Sequence, residues 1–243
     1  MSKLRNHRAL LLVLLAICSS AHARTKPLPP IPAIHKIAFV APTNPRLLTF
    51  ENGAPPLGYP GQFWVDKALS RVNSEQINEA IDVAKLGLAE SITTVVVQRL
   101  GELGFEVEVL KNVSGPADDP DNIDEDHIAL TVDADAVVHV KIDEVGFYSG
   151  HLSNKYLPRV NISGKLWTKL REDSLYSDEV DYGADAKKGK KWAIFADERY
   201  RWGTFDELTS DLDEVRTSLT TGAKLTAINI ADQIAAAASA ASK

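Results

Sequence analysis

The 243-residue chain has one cysteine and one methionine, Cys18 and Met1, both in its first 18 positions. Once a leader is cut away, no thiol is left for a disulfide or a thiolate metal site. The folded protein must then rely on its core even in an oxidising compartment. Long apolar runs are missing too. The run from Ala9 to Ile17, at roughly 9 residues, falls well short of the ~20 that span a bilayer as a helix, so the mature chain is expected to be soluble. Basic charge is in deficit, 27 Lys and Arg against 33 Asp and Glu. No glycine-rich phosphate fingerprint follows an apolar run. Gly183 to Lys191 imitates a Walker loop, but its glycines are six apart where five are needed, and Lys191 stands where Ser or Thr would hold magnesium. None of the histidines His35, His127, His139 and His151 has the H-E-x-x-H spacing of a zinc site. No G-x-S-x-G elbow presents a nucleophilic serine.

What is present begins with a leader. Lys3, Arg5 and Arg8 make a basic start, Ala9 to Ile17 an apolar centre, and Ser19-Ser20-Ala21-His22-Ala23 a small, polar end with an A-x-A site. Residues 1–23 therefore read as a signal peptide cut after Ala23, which predicts a periplasmic protein. A lipid anchor on Cys18 is the alternative, giving a membrane-anchored lipoprotein. Leu15-Ala16-Ile17-Cys18 disfavours it, with isoleucine where a small residue is wanted. Cleavage removes three of the basic residues and no acidic one, leaving 24 − 33 = −9. So acidic a surface disfavours nucleic acid and anionic membrane as general partners.

Residues 24–34 hold four prolines and read as an extended tether, and 35–243 as one α/β domain. Ile37-Ala38-Phe39-Val40 predicts a buried strand. Thr43 to Asn73, rich in proline and glycine, reads as a long loop, which in a compact domain is functional or loosely ordered. From Ser74 to Leu103 apolar residues recur at three- and four-residue steps, predicting one helix stopped at Gly104. Phe105 to Leu110 alternates as a second strand, so strand, helix and strand predict a parallel pair. Val138, Val140 and Ile142 mark a further strand, followed by Val160 to Leu170 and Leu175 to Val180, whose short connections predict antiparallel neighbours. Thr204 and Glu207 have capping-box spacing ahead of a long C-terminal helix that Gly222 would bend or break. These elements predict an α/β (α+β) fold: one domain, a mixed sheet of about five strands, helices packed on it and a long C-terminal helix.

Two segments are candidate partner-binding surfaces. Phe50, Tyr59, Phe63 and Trp64 lie in the 43–73 segment, where aromatics among prolines either anchor a protein or glycan partner or cover a core edge. Lys187, Lys188, Lys190 and Lys191 stand close to Trp192 and Trp202, a basic and aromatic stretch that would suit an anionic partner or glycan, or simply pack on the last helix. The acidic run Asp118, Asp119, Asp121, Asp124, Glu125, Asp126 lacks the register of an EF-hand and reads as a helix-capping turn, with an irregular calcium site as the sharper alternative. His139 shares a strand face with Lys141 and Asp143, as acid–base groups or ordinary solvent-side residues do. Carboxylates are too numerous for any pair to stand out. No cofactor and no catalytic residue is expected.

The order of elements from Ile37 through Asp135-Ala136-Val137-Val138-His139-Val140-Lys141-Ile142 to Val160–Thr168 and Leu175–Val180 resembles a bacterial envelope group. That group contains the amino-terminal domain of the Tol translocation protein, the curli secretion channel subunit and the outer-membrane activators of penicillin-binding proteins. The 43–73 segment departs from its pattern. The resemblance implies a non-enzymatic accessory role through contact with an envelope protein or cell-wall component. A periplasmic hydrolase on envelope polymers and a small-ligand or metal binder remain the alternative readings, and the hydrolase requires acidic or histidine side chains converging in one cleft.

Overall fold

The alternation of Val138, Val140 and Ile142 with polar neighbours belongs to the longest strand of a computed structural model. It describes residues 31–52, 62–111, 113, 115, 116, 120–150, 155–170 and 173–241, with backbone alone at 62–68, 125 and 126. In chain order the elements are β1 (Lys36–Val40), β2 (Thr49–Asn52), α1 (Gln62–Ala80), a 3-10 turn (Val83–Leu86), α2 (Leu88–Glu102), β3 (Glu106–Leu110), α3 (Glu125–Thr131), β4 (Ala136–Ser149), β5 (Tyr156–Trp167), β6 (Tyr176–Gly183), β7 (Ala193–Ile194), α4 (Phe205–Ser210) and α5 (Leu212–Ala241).

The sheet runs β3-β1-β4-β5-β6-β7, with β2 also beside β4. β1 is parallel to both β3 and the first part of β4, while β2 runs parallel to the last four residues of β4. β4, β5 and β6 are antiparallel neighbours, as their short connections predict. The sheet is thus mixed, and it gains two strands over the expected five. β2 and β7 have only four and two residues, too few to show a period-two pattern in the sequence.

One face of the sheet is apolar along its length. Ile37 and Phe39 from β1, Val138 and Val140 from β4, Val160 and Ile162 from β5, and Val180 and Tyr182 from β6 meet Leu88, Ile92, Val96 and Leu100 of α2 and the inner stripe of α5. Among the described residues the other face is covered at one end, where Ile128 and Ala129 of α3 pack on Ala38, Val40, Val137 and Trp167. Over the middle of β4, β5 and β6 its outward side chains, Lys141, Asp143, Arg159, Asn161, Ser163, Glu179 and Asp181, are polar.

The segment read as a loop from Thr43 to Asn73 contains β2 and the first half of α1, which begins at Gln62. Asn78 ties the two together, accepting from Leu48 N–H at 2.7 Å and donating to Leu48 C=O at 2.9 Å. The single helix expected over Ser74–Leu103 is divided. Asp82 accepts from Ala84 N–H and starts the 3-10 turn, and Gly87, at φ +59°, ends it and caps α2. The apolar rhythm survives the break because Ile81, Val83 and Leu88 are all buried. Gly104, at φ +94°, closes the turn after α2 as expected. Thr204 accepts from Glu207 N–H, while Glu207 Oε2 takes Gly203 N–H at 2.6 Å, one residue earlier than a standard capping box. Gly222 does not break α5, which runs unbroken for 30 residues.

Asp135 fixes the entry to β1. Its Oδ2 accepts both His35 N–H and Lys36 N–H at 2.8 Å, and these bonds hold the carboxyl below its ordinary pKa. A carboxyl lowered in the folded state stabilises above its ordinary range, and that stability is lost as pH falls through the lowered value. Asp135→Ala is expected to cost about 1 kcal/mol near neutral pH, a modest figure because the group is exposed and water screens it. Urea titrations should show the gap from wild type closing as the medium is acidified below the carboxylate range.

Candidate functional site

Period two on β5 and β6 puts Val160, Ile162, Val180 and Tyr182 into the core and turns Arg159, Asn161, Glu179 and Asp181 to the opposite face. β4 adds two carboxylates there through an irregularity. Ile142 pairs with Ile162, Glu144 with Asn161 and Val145 with Val160, so Asp143 is an extra, unpaired residue. Such a bulge re-aims side chains without disturbing the register beyond it. Glu51 of β2 and Asp185, Lys187 and Lys190, from the turn after β6, complete the walls of an open cleft of about 670 Å³. Its lining holds six carboxylates against three cations, −6 + 3 = −3 in formal charge.

Arg159 organises one half. Its Nε lies 2.8 Å from Asp185 Oδ2 and its Nη1 3.3 Å from Glu51 Oε2, and Nη1 also pairs with Glu144. The guanidinium lies over the Tyr148 ring, 4.8 Å from its centroid. With its side chain only 8% exposed, Arg159 is fully committed to three carboxylates. It acts as a strut, not as a free cation.

The other half is less well satisfied. Asp181 is completely buried, and the cation against it is Lys190, whose Nζ lies 2.5 Å from Oδ2. That ion contact is the carboxylate's partner among the described residues, and no neutral donor reaches either oxygen. Asn161, directly opposite Asp181 across β5 and β6, donates through Nδ2 to Asp185 at 2.7 Å, but its buried Oδ1 accepts from no described group. Burial pushes the Asp143 carboxyl up, against the hydrogen bond from Ser163. Burial also raises Glu179, helped by the neighbouring charges of Asp181, Asp143 and Asp185. For Lys190, desolvation opposes the charge, but Asp181, Glu179 and Asp185 outweigh it and hold the ammonium above its ordinary pKa.

The residues singled out from sequence fall in different places. Phe50 and Trp202 are core residues, a correction to their reading as docking groups. Phe50 packs 4.9 Å from Tyr156 and edge-on, at 5.2 Å, to Phe205. Trp202 packs edge-on to Phe147 at 5.7 Å and bridges to Tyr156 through the backbone. Phe63 and Trp64 lie on α1 without side-chain description, and Tyr59 is outside the described residues. Lys187 and Lys190 line the cleft, and Lys188 is exposed. Lys191 pairs with Asp178 at 3.5 Å and lies over the ring of half-buried Trp192, whose Nε1 donates to the same carboxylate. Lys190 and Lys191 turn onto the carboxylates of β6, while Lys187 and Lys188 stay exposed. In the acidic run, Asp121 accepts from Thr43 and Asp124 caps α3, while Asp118 and Asp119 are outside the described residues. His139 is buried. Among the described residues no group of three His, Cys, Asp or Glu has the arrangement to hold a metal ion, and no helix is long and apolar enough to cross a membrane.

The cleft was missed in the sequence because its acids are spread over β2, β4, β6 and a turn. A local signal existed: two polar residues, Asp143-Glu144, stand between the inward residues Ile142 and Val145 where alternation allows one.

No protein-family model matches the chain, and no curated protein matches it. Among solved structures, the hypothetical protein CT253 from Chlamydia trachomatis aligns over 86% of this chain and 99% of its own, with 12% identity and a TM-score of 0.39. Lipoprotein GNA1162 from Neisseria meningitidis aligns over 76% of this chain and 99% of its own, with 14% identity and a TM-score of 0.33.

Proposed function

We propose that the protein is an exported accessory protein of the bacterial envelope that acts by binding a protein or cell-wall partner, and that the acid cleft takes a cationic group of that partner. The observation that carries the reading is the cleft itself. Six carboxylates converge on a rigid three-stranded floor, and the strongest cation among them, Arg159, is already committed to three. Side chains held by strands keep their geometry better than side chains on loops, which suits recognition. Excess negative potential in a concave site draws and orients a positive partner. The leader supports export, and the order of elements supports kinship with envelope proteins that work by contact.

Crosslinking in intact cells, followed by affinity capture, tests it. The wild-type chain should enrich an envelope partner, and the Asp143→Asn/Glu179→Gln pair should lower the yield about fivefold or more, since removing complementary charge weakens both encounter and contact. Equal yields from both chains would overturn the assignment to the cleft. The intact mass of the mature protein should correspond to a start at Arg24, and a lipidated start at Cys18 would replace the free periplasmic form with an anchored one.

The hydrolase reading gains one observation, the raised carboxyls of Asp143 and Glu179 in the same cleft. It predicts release of soluble fragments from purified cell-wall polymers, abolished by the same double substitution.

A further inference from the structure

The second half of the cleft contains two buried acceptors that the fold leaves unsatisfied. Among the described residues Asp181, fully buried, is met only by the Lys190 ammonium, and Asn161, 5% exposed, has nothing donating to Oδ1. Buried polar groups are nearly always hydrogen-bonded, and a carboxylate without donors is costly. The two residues are register partners on adjacent strands, so their side chains project side by side. A single group with several N–H bonds at tetrahedral angles would serve both.

Lys190 supplies the right group but from the wrong place. It stands on an exposed turn containing Gly189 at φ +91°, its side chain is 42% exposed, and its ammonium lies 2.5 Å from Asp181 and 4.0 Å from Glu179 Oε2. It forms no hydrogen bond with Asn161 Oδ1. A lysine reaching in from an exposed turn, its side chain 42% exposed, can swing out to solvent without moving a strand of the cleft.

We propose that Asp181 and Asn161 form a seat for a primary ammonium group of the ligand, and that Lys190 occupies this seat only in the free protein. The incoming ammonium donates one hydrogen bond to Asp181 and one to Asn161 Oδ1, and turns its third toward Glu179, while Lys190 swings out to solvent. A quaternary ammonium, with the same charge and no N–H, satisfies neither acceptor. The ligand class is thus an amine-bearing group, a lysine-like side chain or an amino sugar, and not any cation. The inference rests on the cleft being the binding surface and adds which atoms bind and what they displace.

The test uses the full mature chain, methylammonium and tetramethylammonium as paired probes at equal ionic strength, and two readouts: the side-chain amide resonances of Asn161 and the melting temperature. Lys190→Ala vacates the seat, so methylammonium should bind it about tenfold more tightly than wild type, where the lysine competes for the same place. Methylammonium should also raise the melting temperature of the Lys190→Ala protein above that seen with tetramethylammonium, and Asp181→Asn should show neither response. Lys190→Met, which keeps a stem of similar length and carries no N–H, replaces Lys190→Ala if that variant does not fold. An equal response to the two probes, or no tighter binding once Lys190 is removed, overturns the seat. If crosslinking still depends on Asp143 and Glu179 in that case, the cleft remains the partner surface and only the ammonium seat is lost. If crosslinking is indifferent to them as well, both fall.

Discussion

Arg159→Met is expected to lower the stability of the fold by about 2–4 kcal/mol near neutral pH, the largest loss foreseen for a single substitution in the cleft. The side chain lies almost out of water between Asp185, Glu51 and Glu144. Methionine would fill much of the same volume, so packing is a minor part of the loss. The main part is three carboxylates left facing one another. Breaking a buried pair costs about 3–5 kcal/mol, and the lower figure here reflects partners that keep contact with solvent, since Glu51 is 56% and Glu144 43% exposed. Urea denaturation checks it. The gap should shrink in acid, where the abandoned carboxylates take up protons, and Arg159→Lys should recover only part of the loss because an ammonium cannot reproduce the forked contact with Asp185. A gap independent of pH would show that Arg159 holds the strands by packing instead of charge.

Gly222→Ala is expected to destabilise by about 1–2 kcal/mol, the reverse of what helix propensity foretells. In an open helix the change would gain about 1 kcal/mol. Here a Cβ would lie 2.5 Å from Tyr182 Cδ1, 2.8 Å from Cε1 and 3.0 Å from Val160 Cγ2. Tyr182 is buried in the core between α5 and the sheet, and forcing extra atoms into such a contact costs about 1–3 kcal/mol. The glycine lets the helix ride directly on the tyrosine ring. A shift of the denaturation midpoint to lower urea with an unchanged slope is the expected result. A variant more stable than wild type would mean that α5 can lift off the ring without loss.

Both positions show where reading from sequence runs out. Gly222 reads as a weakness in a helical stripe because only the packing partner, some 40 positions away, gives it a purpose. Alternation over Val138–Ile142 and Val160–Leu166 is local, so the central strands, their antiparallel pairing and the long last helix were legible. α1 was legible only from Ser74 onward because Leu69 and Val72, which precede it, are half exposed and make a poor stripe. The break at Asp82–Gly87 was hidden because a 3-10 turn keeps Ile81, Val83 and Leu88 on the inner side. The cleft was illegible for a different reason: it is a property of one sheet face, assembled from positions 51 to 190. The lysines near Trp192 stand out in an acidic chain, but that Lys190 and Lys191 pair with Asp181 and Asp178 is visible only once β6 is folded beside them.

The position of α5 has a consequence for the order in which the protein can be completed. Its stripe covers β5 and β6, yet in the chain it follows them, with 241 − 183 = 58 residues between the end of β6 and the end of the helix. Whatever the compartment, a chain that emerges amino-terminus first presents the apolar side of the β4–β5–β6 meander before its cover is available. Until α5 docks, Val160, Ile162, Leu166 and Val180 lack the helix that covers β5 and β6.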